Sequence, residues 1–431
     1  MITSVNPNIP VRTETILFQG INRNKIINED EWSELSNIDT KNIPAISPRK
    51  PMKVIREFKK CNGYLVDENK ECWVDGTDLY YDGKKVGTLE DSPKKMVEFN
   101  RNIIIFPDKI AYNIKENKMT DKFKAPDLEH IIVKDNRIWG TKGVTIHACK
   151  LGDYTEWDKP TDVLDGVYYV DVPGESNFQG ITIYGDKLVF FKKSSMYELF
   201  GKTPKDYELY EAFKIGCIDY KSISEVAGTL FFTSQSGTFA YGGGIPRPVS
   251  TKLNEVYLNS TGISDNRNYF LSLDNGERKR TYMFDTYLNA WTVYSDKYFD
   301  YWGYLELERD RKIRAVSNNK LYEFESGDEM VKWLAISKEF DNRTFQRKSV
   351  RKLKFKVDMP IGSELSIYMS RDGKPFRLEK TFKKSPDSFS SKDDLIFFVP
   401  MNRAKMYQIK LVGKGDCTVY GEREIIFRSD K

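Results

Sequence analysis

The sequence predicts an all-β protein: a β-propeller of six or seven blades over 56–333, an N-terminal arm over 1–55, and a C-terminal antiparallel β-sandwich over 334–431. Three observations carry that expectation. A pattern of polar turn, apolar strand, turn and second strand returns seven times along the middle of the chain. Aromatic residues reach 13%, and flat, half-buried rings suit the pleated face of a strand. The last hundred or so residues alternate apolar and polar with period two, the pattern of a sheet with one wet face.

The arm comes first. It holds Pro7, Pro10, Pro44, Pro48 and Pro51 and a polar middle from Asn22 to Asn42, with one short strand pattern from Glu14 to Gln19 ahead of Gly20. A segment of this kind cannot bury a core of its own, so it is expected to lie across another domain or another chain. Helix is expected at two places only, Glu29–Leu35 and Gly327–Lys338.

The repeats follow. Their copies start near residues 61, 99, 133, 184, 227, 266 and 310, a mean spacing near 42. Each reads as a hairpin whose first strand is an apolar run, such as Asn102-Ile-Ile-Ile-Phe106 or Leu188-Val-Phe-Phe191. Turn residues that tolerate positive φ sit between the strands: Asp135-Asn136, Asn318-Asn319 and Ser236-Gly237. A period of 40–50 residues with about four strands per unit is that of propeller blades, which cannot bury both faces alone and must stack around an axis.

The C-terminal segment closes the chain. It contains 22 Lys and Arg against 13 Asp and Glu, a net +9, while the remainder of the chain carries −4. In Lys352-Leu-Lys-Phe-Lys-Val-Asp358 the alternation sets Lys352, Lys354 and Lys356 on one strand face and Leu353, Phe355 and Val357 on the other. These three lysines are the candidate interface: either an ordinary wet face, or an electrostatic contact with an acidic neighbour or nucleic acid.

Composition excludes several classes. The overall charge of +5 is too balanced to imply nucleic-acid binding by charge alone. No apolar run reaches the roughly 20 residues that span a bilayer, and the N-terminus lacks the basic-then-apolar order of a secretory signal. Five widely spaced cysteines without a CxxC pair read as reduced thiols. Two histidines, His130 and His147, leave almost no room for a histidine metal site or a catalytic triad. Gly201-Lys-Thr203 lacks the earlier glycine of a phosphate loop and runs into Pro204. The carboxylate groups Asp393-Asp394 and Glu306-x-Glu308-x-Asp310 read as solvated faces, as does the basic run Arg278-Lys-Arg280. No catalytic residue, cofactor or metal is therefore assigned, and the chain is expected not to be an enzyme.

Several stretches together resemble a bacteriophage virion protein. Gln19-Gly-Ile-Asn22, Glu31-Trp-Ser-Glu-Leu-Ser-Asn37 and Ile43-Pro-Ala-Ile-Ser-Pro-Arg49 resemble the opening of tail accessory proteins. Arg137-Ile-Trp-Gly140, Ala148-Cys-Lys-Leu-Gly-Asp-Tyr-Thr-Glu-Trp157, Gly180-Ile-Thr-Ile-Tyr-Gly-Asp-Lys-Leu-Val-Phe-Phe-Lys192, Tyr197-Glu-Leu-Phe-Gly201 and Phe284-Asp-Thr-Tyr-Leu-Asn-Ala-Trp291 resemble their blade patterns. The chain is thus similar, over about residues 15–325, to the DNA-stabilisation or nozzle proteins of short-tailed phages, β-propeller type. The resemblance implies a structural protein of the virion tail, assembled in the bacterial host cytoplasm. It would form a homohexameric ring below the portal and adaptor, anchor other tail proteins, and retain and conduct genomic double-stranded DNA without sequence preference. The alternative is a receptor- or glycan-binding tail propeller, with Trp157, Trp302 and Tyr304 stacking on sugars.

Overall fold

The computed structural model describes residues 11–13, 19–28, 30–42, 44–158, 164–308, 311–341, 347–385, 391–399 and 403–429. The chain is all-β: strands take up 55% of it, and the helical structure among the described residues is one 3-10 turn, Tyr220–Ser222. Most of the strand pattern expected at 14–19 lies outside the described residues.

Seven antiparallel meanders follow one another, here called sheets 1 to 7: 61–88, 95–119, 130–171, 178–213, 224–248, 259–295 and 301–323. Each of the seven hairpins read from the sequence falls in a different sheet. Sheet 7 supplies only three strands of its own. Its fourth is Lys53–Glu57, which pairs antiparallel with Lys320–Glu323 across most of the chain.

The sheets touch in sequence order through their first strands. Cys61–Asp67 lies beside Lys95–Phe99, which lies beside His130–Lys134, which lies beside Phe178–Tyr184. The turn Tyr220–Ser222 bridges sheet 4 to sheets 5 and 6. Asn259–Ser264 then meets Tyr301–Glu306, and Tyr301–Glu306 returns to Cys61–Asp67, so the series closes on itself. Two glycines let these strands approach. A Cβ on Gly180 would stand 2.8 Å from Tyr220 Cβ, and one on Gly303 2.5 Å from Val66 Cγ2.

Two-residue turns link the first and second strands. Glu68-Asn69, Asn100-Arg101, Asp135-Asn136 and Ala227-Gly228 have both residues at positive φ, the geometry that matches strand twist. The turns also bind their neighbours. Arg101 pairs with Glu68 at 2.6 Å, Asn100 Nδ2 donates to Asn136 Oδ1 at 2.9 Å, and Asn69 Nδ2 donates to the Glu306 carbonyl at 2.9 Å. Deeper in, Lys94 and Asp108 form a fully buried ion pair.

The described part of the arm is built into its own chain. Trp32–Ser36 is a strand, not the helix expected there. It touches the last strand of sheet 6 in parallel at Ser36 and Val293, and pairs antiparallel with Lys332–Ser337. That second segment is also a strand in place of the expected helix. Both sequences have polar stretches that suit either state, and tertiary pairing on both sides decides the matter. Around the joint, Arg49 Nε donates to the Tyr294 carbonyl at 2.6 Å and its guanidinium lies over the Tyr294 ring. Arg23 and Arg280 converge on Glu34, at 2.7 and 2.8 Å.

Through that joint sheet 6 becomes part of a nine-stranded sheet, continuing through Lys332–Ser337, Tyr407–Lys414, Glu364–Arg371 and Arg377–Lys383. A second sheet, ordered Val11–Thr13, Thr418–Ser429, Lys348–Asp358, Lys392–Phe398, shares one core with it. Leu353, Phe355 and Val357 of the second sheet join Leu365, Ile367, Ile409 and Leu411 of the first, and the same core continues to Trp32, Trp291 and Phe284. The boundaries drawn at 55/56 and 333/334 therefore fall inside the strands Lys53–Glu57 and Lys332–Ser337.

Candidate assembly surface

Strand Lys348–Asp358 alternates as its sequence demands. Leu353, Phe355 and Val357 are buried, and Lys352, Lys354 and Lys356 stand on the opposite, outward face. Its neighbour Lys392–Phe398 is the edge of the sheet. Register sets Phe398 opposite Lys352, Ile396 opposite Lys354 and Asp394 opposite Lys356, and residues opposite one another share a face. Leu395 and Phe397 turn into the core, which leaves Phe398 77% exposed and Ile396 44% exposed beside the lysine row. An ion pair tempers the charge: Lys354 Nζ lies 3.5 Å from Asp394 Oδ2.

Alternation in the sequence places the lysines but not Ile396 and Phe398. The run Leu395-Ile-Phe-Phe-Val399 is an apolar stretch of strand length that shows no alternation of its own. The signal was present in the combination: one face of this sheet is a row of lysines, so every second residue of an apolar neighbour strand must stand beside that row.

Other candidate residues are placed as follows. Arg278-Lys-Arg280 is not a free basic patch, because Arg280 pairs with Glu34 and Asp296 and Lys279 lies 3.4 Å from Asp274. His130 is buried, its Nδ1 2.9 Å from Thr141 Oγ1 and its ring edge-on to Tyr220; burial first, then Lys95, pushes its pKa down to about 3. His147 is lowered by burial as well. All five cysteines are free thiols, and burial pushes those of Cys61, Cys72, Cys217 and Cys417 up to about 12. Such thiols are inert. Asp310 and the Asp393 side chain lie outside the described residues.

The three aromatics of the glycan reading divide. Trp157 is buried, its Nε1 donating to the Tyr154 carbonyl at 2.6 Å. Trp302 and Tyr304 come together in a cleft of about 470 Å³ with Val66, Asp67, Glu68 and Glu306. Trp302 Nε1 donates to Thr261 Oγ1 at 2.9 Å, and Arg311 covers one face of Tyr304.

Among the described residues no group of three or more His, Cys, Asp or Glu is arranged to hold a metal, and no helix is long and apolar enough to cross a membrane.

No protein-family model matches the chain, and no curated protein matches it. Solved structures do. PorZ, a bacterial surface component of the type-IX secretion system of Porphyromonas gingivalis, matches at 8% identity and TM-score 0.38, over 75% of this chain and 50% of that one. The chain thus spans half the length of that structure. The extracellular domain of a putative hybrid two-component system from B. thetaiotaomicron matches at 11% identity and TM-score 0.43, over 89% of this chain and 63% of that one. The AfRom2 CNH domain matches at 9% identity and TM-score 0.43, over 64% of this chain and all of that one.

Proposed function

We propose that the seven sheets are the blades of a β-propeller, clasped shut by Lys53–Glu57, and that the protein is a structural component of a short-tailed phage tail. On this reading copies of the chain form a ring below the portal and adaptor, which retains and conducts double-stranded DNA and anchors other tail parts. The observation that carries it is the edge strand Lys392–Phe398. An edge that pairs with no further strand among the described residues, bearing an exposed Phe and Ile beside a row of lysines, invites association. The closed series of sheets supports the reading by supplying a rigid body that such a contact can load. The resemblance over residues 15–325 supplies the setting.

Negative-stain electron microscopy of the purified chain, alone and with a portal and adaptor complex of a short-tailed phage, tests the proposal. Rings of uniform symmetry, alone or on the portal complex, are expected. A monomer that joins neither itself nor the portal complex overturns it.

The cleft that unites Trp302 and Tyr304 favours a second reading, a glycan-binding tail propeller. Binding of the isolated monomer to host cell-wall glycans, lost in Trp302→Ala, would move the assignment there.

A further inference from the structure

Sheets 6 and 7 enclose a cavity of about 300 Å³ between them, at the small end of the range for ligand sites. Asn268, Phe270 and Tyr294 of sheet 6 form one wall, and Ile313, Leu307 and Phe324 of sheet 7 and its loops form the other. The arm contributes Lys41. Leu307, 57% exposed, marks the mouth.

Two of these walls carry a buried polar atom that has no hydrogen-bond partner among the described residues: Asn268 Oδ1 and the Tyr294 hydroxyl. Asn268 is 5% exposed and Tyr294 2%. Asn268 Nδ2 donates to Asp265 Oδ2 at 3.0 Å. A carboxylate accepts, so this bond fixes the amide and leaves Oδ1 an acceptor in want of a donor. The Tyr294 ring is clamped by Phe324, stacked at 4.9 Å, and Phe270, edge-on at 5.1 Å. Burial pushes the Tyr294 hydroxyl pKa up; Arg49 opposes the rise, and Glu325, Asp39 and Asp265 add to it. The hydroxyl therefore keeps its proton as a donor. Glu325 and Asp265 also line the cavity, which places the hydroxyl end of the ring there. Buried polar groups are nearly always satisfied, so one cavity that gathers a lone acceptor and a lone donor fits a ligand that supplies both.

The charged groups of the lining are already matched. Lys41 Nζ meets both Glu325 oxygens at 2.9 and 3.1 Å, Arg267 meets Asp285 at 2.6 Å, and Lys312 meets Glu323 at 2.6 Å. Asp265 accepts from the Arg267 backbone N–H at 2.7 Å as well as from Asn268. Arg311 lies over the Tyr304 ring and 3.7 Å from Glu306. A charged ligand would have to break such a pair, and a neutral one would not. A hydroxyl is neutral and both donates and accepts, and the C–H face of a sugar suits Phe270, Leu307, Ile313 and Phe324. We infer that the cavity between sheets 6 and 7 binds one neutral sugar ring, a hydroxyl of which donates to Asn268 Oδ1 while a sugar oxygen accepts from the Tyr294 hydroxyl. The site shares no lining residue with the Trp302–Tyr304 cleft, and it holds whether or not copies of the chain form a ring.

Methyl NMR of the full chain, labelled at isoleucine and titrated with D-glucose, D-galactose and N-acetyl-D-glucosamine, tests it. Ile313 lines this cavity and Ile263 lines the Trp302–Tyr304 cleft, so the two methyls report the two places separately. The Ile313 methyl is expected to shift saturably with at least one of the three sugars while Ile263 stays put. D-glucosamine and D-glucuronate, which carry a charge, are expected to bind more weakly. Tyr294→Phe removes a hydroxyl that no protein group satisfies, so its urea midpoint is expected to equal or exceed that of wild type. The sugar concentration at half-shift should rise about tenfold in that variant, the loss of one hydrogen bond. A Tyr294→Phe chain that binds as wild type does, or whose midpoint falls, overturns the inference. So does a shift at Ile263 alone, which would move binding to the other cleft. An Ile313 methyl that moves with none of the three sugars up to their solubility also overturns it, and leaves a cavity that holds water only.

Discussion

Two sheet edges in this molecule meet opposite fates. The outer edge of sheet 6 is sealed by Trp32–Ser36, which carries it on into the C-terminal strands and buries Trp32, Leu35 and Trp291 in one core. The edge Lys392–Phe398 meets no further strand among the described residues and turns apolar side chains outward. The difference teaches where each region gets its stability. The series of sheets is completed by its own chain, through Trp32–Ser36 at sheet 6 and Lys53–Glu57 at sheet 7. The C-terminal sheets end, among the described residues, at the edge strands Arg377–Lys383 and Lys392–Phe398.

The sharpest way to break that contrast is to remove the seal. Trp32→Ala deletes a buried ring at the joint and is expected to cost about 4 kcal/mol. Urea unfolding should then show two transitions, with the C-terminal sheets melting first. A single transition at unchanged midpoint would mean that the joint adds nothing.

A smaller loss, confined to the sheet series, is expected from Lys94→Met. It strands the buried carboxylate of Asp108, with both side chains essentially inaccessible in the native pair. The expected cost is about 3 kcal/mol. Lys60→Met breaks the exposed pair with Asp91 and should leave the unfolding midpoint nearly unchanged, because solvent screens the pair. Equal losses in the two variants would show that burial of the first pair is not what matters.

The pH dependence isolates one group. His130 titrates near 6.5 unfolded and about 3 folded, so the folded chain binds a proton less readily. Its contribution is fully present above pH 6.5 and is lost as pH falls from there toward 3. At pH 5 that amounts to roughly 2 kcal/mol. His130→Asn should therefore lose less stability than wild type between pH 7 and pH 5 in matched urea titrations. Parallel acid limbs would count against the buried neutral histidine.

The open edge should respond least. Phe398→Ser exposes no new core, and its effect on monomer stability is expected to stay within about 0.5 kcal/mol. A drop of several kcal/mol would mean that Phe398 belongs to the fold and not to a contact.

What the sequence made legible was local. Asp135-Asn136 and Asn318-Asn319 identify tight turns because few other pairs accept positive φ at both positions, and the structure has them there. The row Lys352, Lys354, Lys356 follows from strict alternation. What stayed hidden depends on partners far away in the chain. Trp32–Ser36 becomes a strand because edges wait on both sides of it, and Lys53–Glu57 becomes one because Lys320–Glu323 gives it a neighbour. Trp157 looked like a surface platform, yet it packs beneath Phe123 and Tyr154 in a local core. The exposed Phe398 lies in an apolar run that marks a strand without saying which side chains face outward.

The clasp at Lys53–Glu57 has a consequence for how the chain is made. Glu57 and Lys320, which form an ion pair, stand 263 residues apart. Sheets 1 to 5 contain only short-range pairings and can form as each emerges from the ribosome. The N-terminal strand that completes sheet 7 must stay unpaired until nearly three quarters of the polypeptide has been synthesised. Closure is therefore a late event of high contact order, slow relative to the local hairpins. Until it happens, the nascent chain holds out an unfinished edge at each end of the series.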